Sequence, residues 1–344
     1  MSDIRVFVID DSALIRKTFS EGLSKIPGIK VIGTAIDPYH ARDQIIELKP
    51  DVITLDIEMP RMDGLTFLGK IMTYFPTPTI IVSSVSPKNS ANAIRAMELG
   101  AIDVLCKPTA QSGGMALLME LGRKIKIAST IDITTYKNTI ANNTLSPSTK
   151  KYIITTTDKI IAIGSSTGGT LALRKILPHF PKNSPCIMVV QHMPAGFTKS
   201  FADALNDACV CDVKEAEEGD IIANGKIYIA PGDFHMVLNK SGARYSVGLN
   251  KGPAVCYQRP AADVLFQSVA KNAGKNAIGV ILTGMGNDGT SGLLSMKKEG
   301  AKIVGQDEAS SVVYGMPRSA FNAGAVEKQV PLDKVPETVL GWCS

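Results

Sequence analysis

The sequence predicts an α/β protein built from two doubly wound parallel-sheet domains. Three observations carry that prediction. Short apolar runs rich in Val and Ile alternate with stretches of helical periodicity along most of the chain. Many of these runs stop at an acid, a hydroxyl or a glycine-rich turn, as a buried parallel strand does where it hands over to a helix. Between the two series lies a stretch, residues 129–158, rich in Thr, Ser and Asn and poor in periodicity, which reads as a linker. The 344 residues are enough for two hydrophobic cores.

The first series runs in order. Ile4–Ile9 is an apolar strand ending at Asp10-Asp11, and Leu14–Leu23 has helical spacing. Val31–Ala35 is a strand and Tyr39–Leu48 a helix. Val52–Leu55 is a strand ending at Asp56, followed by a helix over Gly64–Tyr74. Thr79–Val82 is a strand ending at Ser83-Ser84, then Ala91–Leu99 is a helix. Asp103–Cys106 is a strand ending at Lys107-Pro108, and Gly114–Ala128 is a fifth helix. Five such βα units make one parallel sheet, and ligands of such sheets sit at the carboxyl ends of the strands. Asp10, Asp11, Asp56, Ser83 and Lys107 all fall there.

The second series has strands at Ile160–Ile163, Cys186–Val190, Ile227–Ala230, Ala277–Leu282 and Ala301–Val304, with helical patterns between them. His235–Leu238 and Arg244–Gly248, joined by a Gly-bearing turn, predict a β-hairpin. Tyr152–Thr156 reads as a short strand opening this domain. The expected boundaries are a first domain over residues 1–128, a linker over 129–151 and a second domain over 152–344.

Composition excludes several classes. A hydrophobic content of 44% and a charged content of 20% are those of a soluble globular protein. No apolar run approaches a membrane span, and the acidic start MSDIRVFVIDD is not a signal peptide, so a cytoplasmic protein with no direct membrane insertion is expected. The six Cys include no C-x-x-C, and free thiols are expected rather than disulfides or a zinc site. A net charge of +5 suits an acidic protein partner but is too small and dispersed to argue for nucleic acid.

The strand-end residues of the first series carry a chemistry. Converging carboxylates repel unless a cation sits among them, and hard oxygen ligands favour Mg²⁺. Mg²⁺, an ammonium and a hydroxyl together can clamp three phosphoryl oxygens during in-line transfer to one carboxylate. Asp56, single and on the central strand, is the candidate acceptor.

The second series carries another. Gly164-Ser165-Ser166-Thr167-Gly168 fits G-x-S-x-G, a sharp strand-to-helix turn that exposes a serine. The alternative is a helix N-cap by Ser165 or Ser166. Gln191-His192-Met193-Pro194 and Thr283-Gly284-Met285-Gly286-Asn287-Asp288-Gly289 end two further strands. A serine, a histidine and an aspartate on one sheet edge can make a hydrolase, in which His takes the hydroxyl proton and Asp holds the imidazole. The chain order Ser, His, Asp is not that of an α/β-hydrolase. Backbone N–H groups near Thr167 and Met285 are candidates for the oxyanion hole, and His235 is a further candidate to line the site. A phosphate cradle at the same Gly-rich turn is weakened by the missing P-loop Lys and the incomplete G-x-G-x-x-G. No helix-turn-helix or basic stripe supports a DNA-binding output.

Residues 1–108 resemble a response-regulator receiver domain: an acidic pair, DIEMPRMDG from Asp56 to Gly64, a Ser/Thr position and Lys-Pro. Residues 159–344 resemble the catalytic domain of the chemotaxis protein-glutamate methylesterase (CheB) family. They do so through AIGSSTGG, VVQHMP, IAPGDFHM, LTGMGNDG and QDEASSVVYGMP. The resemblance implies a flavodoxin-like receiver followed by a Rossmann-like methylesterase domain with a β-hairpin. It implies phosphorylation of Asp56 by a histidine kinase, and Mg²⁺ held by Asp11 and Asp56 with the Glu58 backbone and, less directly, Asp10. Ser83 and Lys107 would contact the phosphoryl group. It further implies Ser166 as nucleophile, His192 as base and Asp288 as the acid orienting it, with no metal in the esterase step. The family serine is usually preceded by Ala, so Ser165 adds a second hydroxyl. Where the family often has Pro-Ser-Val-Asp, this chain has Pro260-Ala261-Ala262-Asp263. The implied activity is hydrolysis of glutamate γ-methyl esters, and deamidation of particular glutamines, on methyl-accepting chemoreceptors. A phosphorylatable domain tethered to a hydrolase leads us to expect that the receiver gates the catalytic edge.

Overall fold

The computed structural model describes residues 2–107, 114–134, 136, 137 and 159–343. The chain divides into two compact units, residues 1–143 and 144–344. The expected strand over 152–156 lies outside the described residues.

In the first unit, five strands alternate with five helices: β1 (Ile4–Ile9), α1 (Ala13–Leu23), β2 (Ile29–Ala35), α2 (Pro38–Leu48), β3 (Val52–Leu55), α3 (Gly64–Tyr74), β4 (Thr79–Ser83), α4 (Pro87–Leu99), β5 (Asp103–Cys106) and α5 (Gly114–Ala128). The sheet is parallel with order β2-β1-β3-β4-β5. β3 lies at its centre and all four of its residues are buried, which is why Val-Ile-Thr-Leu reads as an unbroken apolar run. Four helices start on the cap their sequence offers. Ser12, Asp37, Asp63 and Ser86 each accept from backbone N–H groups of the first turn.

The segment after β3 is held tightly. Gly64 N–H donates to Ile57 O at 2.8 Å, and a Cβ at position 64 would run into the backbone carbonyl of Asp56. The Asp63-Gly64 pair thus has two separable jobs: the acid caps α3, and the glycine lets α3 start against the backbone of Asp56.

The second unit has a seven-stranded parallel sheet. In chain order its elements are β6 (Ile160–Ser165), α6 (Gly169–Ile176), β7 (Cys186–Gln191), α7 (Thr198–Ala208), β8 (Asp212–Glu215), β9 (Lys226–Ile229), β10 (His235–Ser241), β11 (Arg244–Asn250), α8 (Ala262–Ala273), β12 (Ala277–Ile281), α9 (Thr290–Lys298), β13 (Lys302–Gln306), α10 (Met316–Asn322), β14 (Lys328–Val330) and α11 (Val335–Gly341). The sheet order is β14-β13-β12-β6-β7-β9-β8. β10 and β11 form the expected antiparallel hairpin outside that sheet. The chain winds outward from β6 to β7 and β9, then crosses back to β12 on the other side of β6. The carboxyl ends of β12, β6 and β7 therefore meet at a topological switch point, where such sheets form their crevice.

Two strands, β8 and β14, have no counterpart among the expected ones. Both are sheet edges, with sequences Asp-Val-Lys-Glu and Lys-Gln-Val. An edge strand needs no continuous apolar run, and charge on it discourages pairing with other chains.

All six Cys are free thiols, three of them buried. No described helix is long and apolar enough to cross a membrane.

Gly64→Ala should destabilise the first unit by on the order of 2 kcal/mol, because the clash is with backbone. Gly69→Ala, in the middle of α3 with nothing within 4 Å of the added carbon, should be neutral or stabilise by up to about 1 kcal/mol. Chemical unfolding of the two variants checks the contrast.

Candidate active site and phosphorylation site

In the first unit, Asp10 and Asp56 are almost fully buried, at 2% and 3% exposure. Lys107 Nζ lies 2.8 Å from Asp10 Oδ2 and 2.7 Å from Asp56 Oδ2. Burial is the main effect on both acids, and it outweighs Lys107. It raises the Asp10 pKa and pushes that of Asp56 up to about 6. On Lys107 burial acts in the opposite sense, yet the hydrogen bonds to Asp10 and Asp56 prevail and its pKa is raised.

Two buried acids that one ammonium does not fully compensate are a good seat for a further cation. Carboxylate oxygens of Asp10, Asp11 and Asp56 all lie within 4.8 Å of one another, and an all-oxygen set of this kind fits Mg²⁺. Ile57 N–H donates to Asp56 Oδ1 at 2.7 Å, and the side chain of Glu58, the next residue, is exposed. Ser83 is fully buried at the end of β4, and its carbonyl accepts from Lys107 N–H at 2.8 Å. All the expected receiver positions thus lie at the carboxyl ends of β1, β3, β4 and β5.

In the second unit, the backbone ladder runs past the ends of the strands. His192 N–H donates to Ser165 O at 3.1 Å, and Ser166 N–H donates to Thr283 O at 3.0 Å. The serine segment is therefore zipped to the His192 segment on one side and to the Thr283 segment on the other. The turn that follows is closed by Gly169 N–H to Ser166 O at 2.7 Å, with Gly168 at φ +77°. A positive φ at the third residue of a tight turn requires glycine or a close substitute.

The two serines have different fates. Ser165 is fully buried and its Oγ–H donates to Gln191 Oε1 at 2.7 Å. Ser166 is half-buried, and its hydroxyl makes no hydrogen bond among the described residues. Neither caps α6, whose N-cap is Gly168 with no side-chain bond. A Cβ at Gly284 would press on the Cβ and N of Ser166, so this glycine leaves room for the serine.

His192 Nε2 lies 2.7 Å from Asp288 Oδ2, and both residues are buried. The same carboxylate accepts two backbone N–H groups, Ala262 at Oδ2 (2.6 Å) and Asp263 at Oδ1 (2.9 Å). Burial works to raise the Asp288 pKa. His192 and the two N–H groups outweigh it, and the carboxyl stays below its usual range. An ionised Asp288 fixes the proton of His192 on Nε2 and leaves Nδ1 as the basic atom.

Sequence reasoning missed several members of this network. Thr283 Oγ1 bonds Thr167 O at 3.0 Å, and Gln306 Oε1 accepts Thr283 N–H at 2.8 Å. Asp263 accepts Gly292 N–H at 2.7 Å, tying α8 to the start of α9. Burial, first of all, raises its pKa. Cys256, Asp263 and Asp288 also converge within 4.8 Å, but the carboxylate oxygens are already engaged by N–H donors, so the group reads as a hydrogen-bonded network. His235 does not act as a lining residue. It is buried, its Nε2 bonds Pro253 O at 3.0 Å and its Nδ1 accepts Ala261 N–H at 3.2 Å. Both ring nitrogens brace the loop that presents Ala262 and Asp263 to Asp288. Of the oxyanion candidates, Thr167 is buried and Met285 is 42% exposed.

The fold agrees with what the chain resembles among known proteins. A family model described as CheB methylesterase matches residues 161–339. The chain belongs to the CheB methylesterase family. A response regulator receiver domain model matches residues 6–119. A protein-glutamate methylesterase/protein-glutamine glutaminase 2 of Syntrophus aciditrophicus is 52% identical, covering 99% of each chain. The Escherichia coli K12 protein-glutamate methylesterase/protein-glutamine glutaminase is 48% identical over 100% of this chain and 98% of its own. The crystal structure of the Thermotoga maritima CheB methylesterase catalytic domain aligns at a TM-score of 0.52 and 43% identity, covering 53% of this chain and 97% of that one.

A carboxyl whose folded pKa lies above 3.8 costs stability increasingly as pH rises from about 3.8 to about 6, and the full cost is present at pH 7. Asp56→Asn should therefore stabilise the receiver by on the order of 1–3 kcal/mol at pH 7, with little gain at pH 4. Added Mg²⁺ should stabilise the wild type more than the variant. Urea unfolding at the two pH values, with and without Mg²⁺, measures all three effects.

Proposed function

We propose that the chain is a protein-glutamate methylesterase and protein-glutamine glutaminase of chemoreceptors, working through Ser166, His192 and Asp288 and activated by phosphorylation of Asp56. The observation that carries the reading is the buried 2.7 Å pair of His192 Nε2 and Asp288 Oδ2 on the strand end next to Ser166. Of the two turn hydroxyls, that of Ser166 is uncommitted and that of Ser165 is spent on Gln191.

In this mechanism Ser166 Oγ attacks the γ-carbonyl carbon of the methylated glutamate while its proton passes to His192 Nδ1. Asp288 stabilises the imidazolium. The oxyanion of the tetrahedral intermediate is met by backbone N–H groups of the Thr167 and Met285 turns. The Met285 N–H makes no hydrogen bond among the described residues, which supports its role. Collapse breaks the C–O bond, and methanol leaves with the proton from His192. Water then attacks the γ-glutamyl ester with His192 again as base, giving glutamate and free Ser166. A glutamine side chain follows the same path with ammonia as leaving group. No step of this mechanism is routed through a metal.

In the receiver, an Asp56 carboxylate oxygen takes the phosphoryl group from a histidine kinase phosphodonor. Mg²⁺, held by Asp11 and Asp56 with the Glu58 backbone and Asp10 in support, supplies charge compensation on the phosphoryl oxygens when bound. Lys107, already beside Asp56, pairs with one of those oxygens, and Ser83 is the hydroxyl that senses them. The protein acts in the cytoplasm on the receptors' cytoplasmic region, and nucleic acid is not among its partners.

Ser166→Ala should cut methanol release from methylated receptor by at least about 10³-fold while Asp56 still accepts phosphate. A small-molecule phosphodonor should raise the wild-type rate, and Asp56→Asn should abolish that rise. Full esterase activity in Ser166→Ala would overturn the assignment of the nucleophile.

A further inference from the structure

We infer that Gln191 is a positioning residue for acyl transfer, bridging the backbones of nucleophile and base with one buried carboxamide that Ser165 holds in orientation. The inference rests on the reading of Ser166 as nucleophile and His192 as base.

Gln191 is the last residue of β7 and pairs in register with Ser165, the last residue of β6. It is 3% exposed, so its amide must find partners inside the protein or cost stability. It finds three. Nε2 donates to Ser166 O at 2.9 Å and to His192 O at 3.2 Å, and Oε1 accepts from Ser165 Oγ at 2.7 Å. The orientation follows from chemistry. Turned over, the amide would set its oxygen against two carbonyl oxygens, which can only accept. With NH₂ facing those carbonyls, the Ser165 hydroxyl must donate. Its alternative acceptor, Val190 O, is 3.5 Å away, too long to compete.

The site is built around this amide. A Cβ at Gly169 would overlap Gln191 Oε1 and crowd Ser165 Oγ, so glycine is what leaves space for the bridge. The bridge also sits where it is needed. The ladder bond His192 N–H to Ser165 O is followed by loops that diverge toward Thr198 and Gly169. Beyond that bond, Gln191 joins the two segments through the carbonyls of the two residues that react. Acyl transfer is sensitive to this separation, because a misplacement of about 1 Å can cost on the order of 10²-fold in rate. Gln191 and Ser165 touch neither substrate nor proton. They fix the distance over which the proton moves, so their loss appears in kcat.

The test is methanol release from methylated receptor, with kcat and KM determined separately for the full-length protein and its variants. Gln191→Glu keeps the shape and an acceptor for Ser165 but cannot donate to the two carbonyls. It and Gln191→Leu should lower kcat by on the order of 10²-fold, with KM within twofold of wild type. Ser165→Ala should lower kcat by a smaller factor, about fivefold. In the Gln191→Leu background, Ser165→Ala should have no further effect, since a residue acting through another has nothing left to act on. Thermal melting of each variant identifies any that fail to fold, and Ser165→Ala, a deletion of one atom, keeps the test open if the Gln191 variants do. Additive losses from the two residues, a change confined to KM, or wild-type kcat in folded Gln191→Leu would overturn the bridge. Ser165→Ala as inactive as Ser166→Ala would instead indict the nucleophile assignment, and the single Ser166→Ala variant distinguishes the two failures.

Discussion

The catalytic unit depends on the register of three neighbouring parallel strands, β12, β6 and β7, at their carboxyl ends. Parallel ladders continue until a loop turns away, and here the bonds persist one step beyond the strands, through His192 N–H to Ser165 O and Ser166 N–H to Thr283 O. That persistence makes three loops into one surface. The side chains that matter then need only local devices: Gly168 to turn the chain, Gly169 and Gly284 to leave space, Gln191 and Thr283 to hold carbonyls.

The two units solve opposite electrostatic problems with buried aspartates. Asp288 accepts from His192 and two backbone N–H groups, and these donors outweigh burial, so the carboxylate is content to stay charged. Asp56 has one ammonium shared with Asp10 and one backbone N–H, from Ile57, and burial wins. The first arrangement suits a group that must keep a fixed charge through a catalytic cycle. The second suits the proposed role of Asp56, acceptor of a phosphoryl group beside a cation, because the folded protein leaves charge there only partly compensated. The cost is borne by receiver stability, as in other sites where function and stability conflict.

Much of this was legible in sequence for a simple reason. Central parallel strands are buried on both faces, so they appear as apolar runs, and their chemistry-bearing residues appear in the polar loop that follows each run. That rule found the strand ends carrying Asp10, Asp56, Lys107, Ser166, His192 and Asp288. It failed where burial is one-sided, at the edge strands Asp212–Glu215 and Lys328–Val330. It left His235 open, since a histidine opening a strand near the site reads the same whether it faces a substrate or, as here, two backbone groups. The choice between a cap and an exposed hydroxyl for the turn serines could not be read from local residues, because the partner that occupies Ser165 is 26 positions away.

The sequence alone determined the order of the buried strands and of the helices between them, the two-unit organisation and the identity of the residues at each of those strand ends, because these follow from local burial periodicity and turn chemistry. Only the tertiary structure decided which of those ends became neighbours, which serine hydroxyl was spent, which imidazole nitrogen faced the acid and whether a buried aspartate kept or lost its affinity for a proton. Those outcomes depend on groups far apart in the chain and on the balance between desolvation and a few hydrogen bonds, which exists only once the strands have packed.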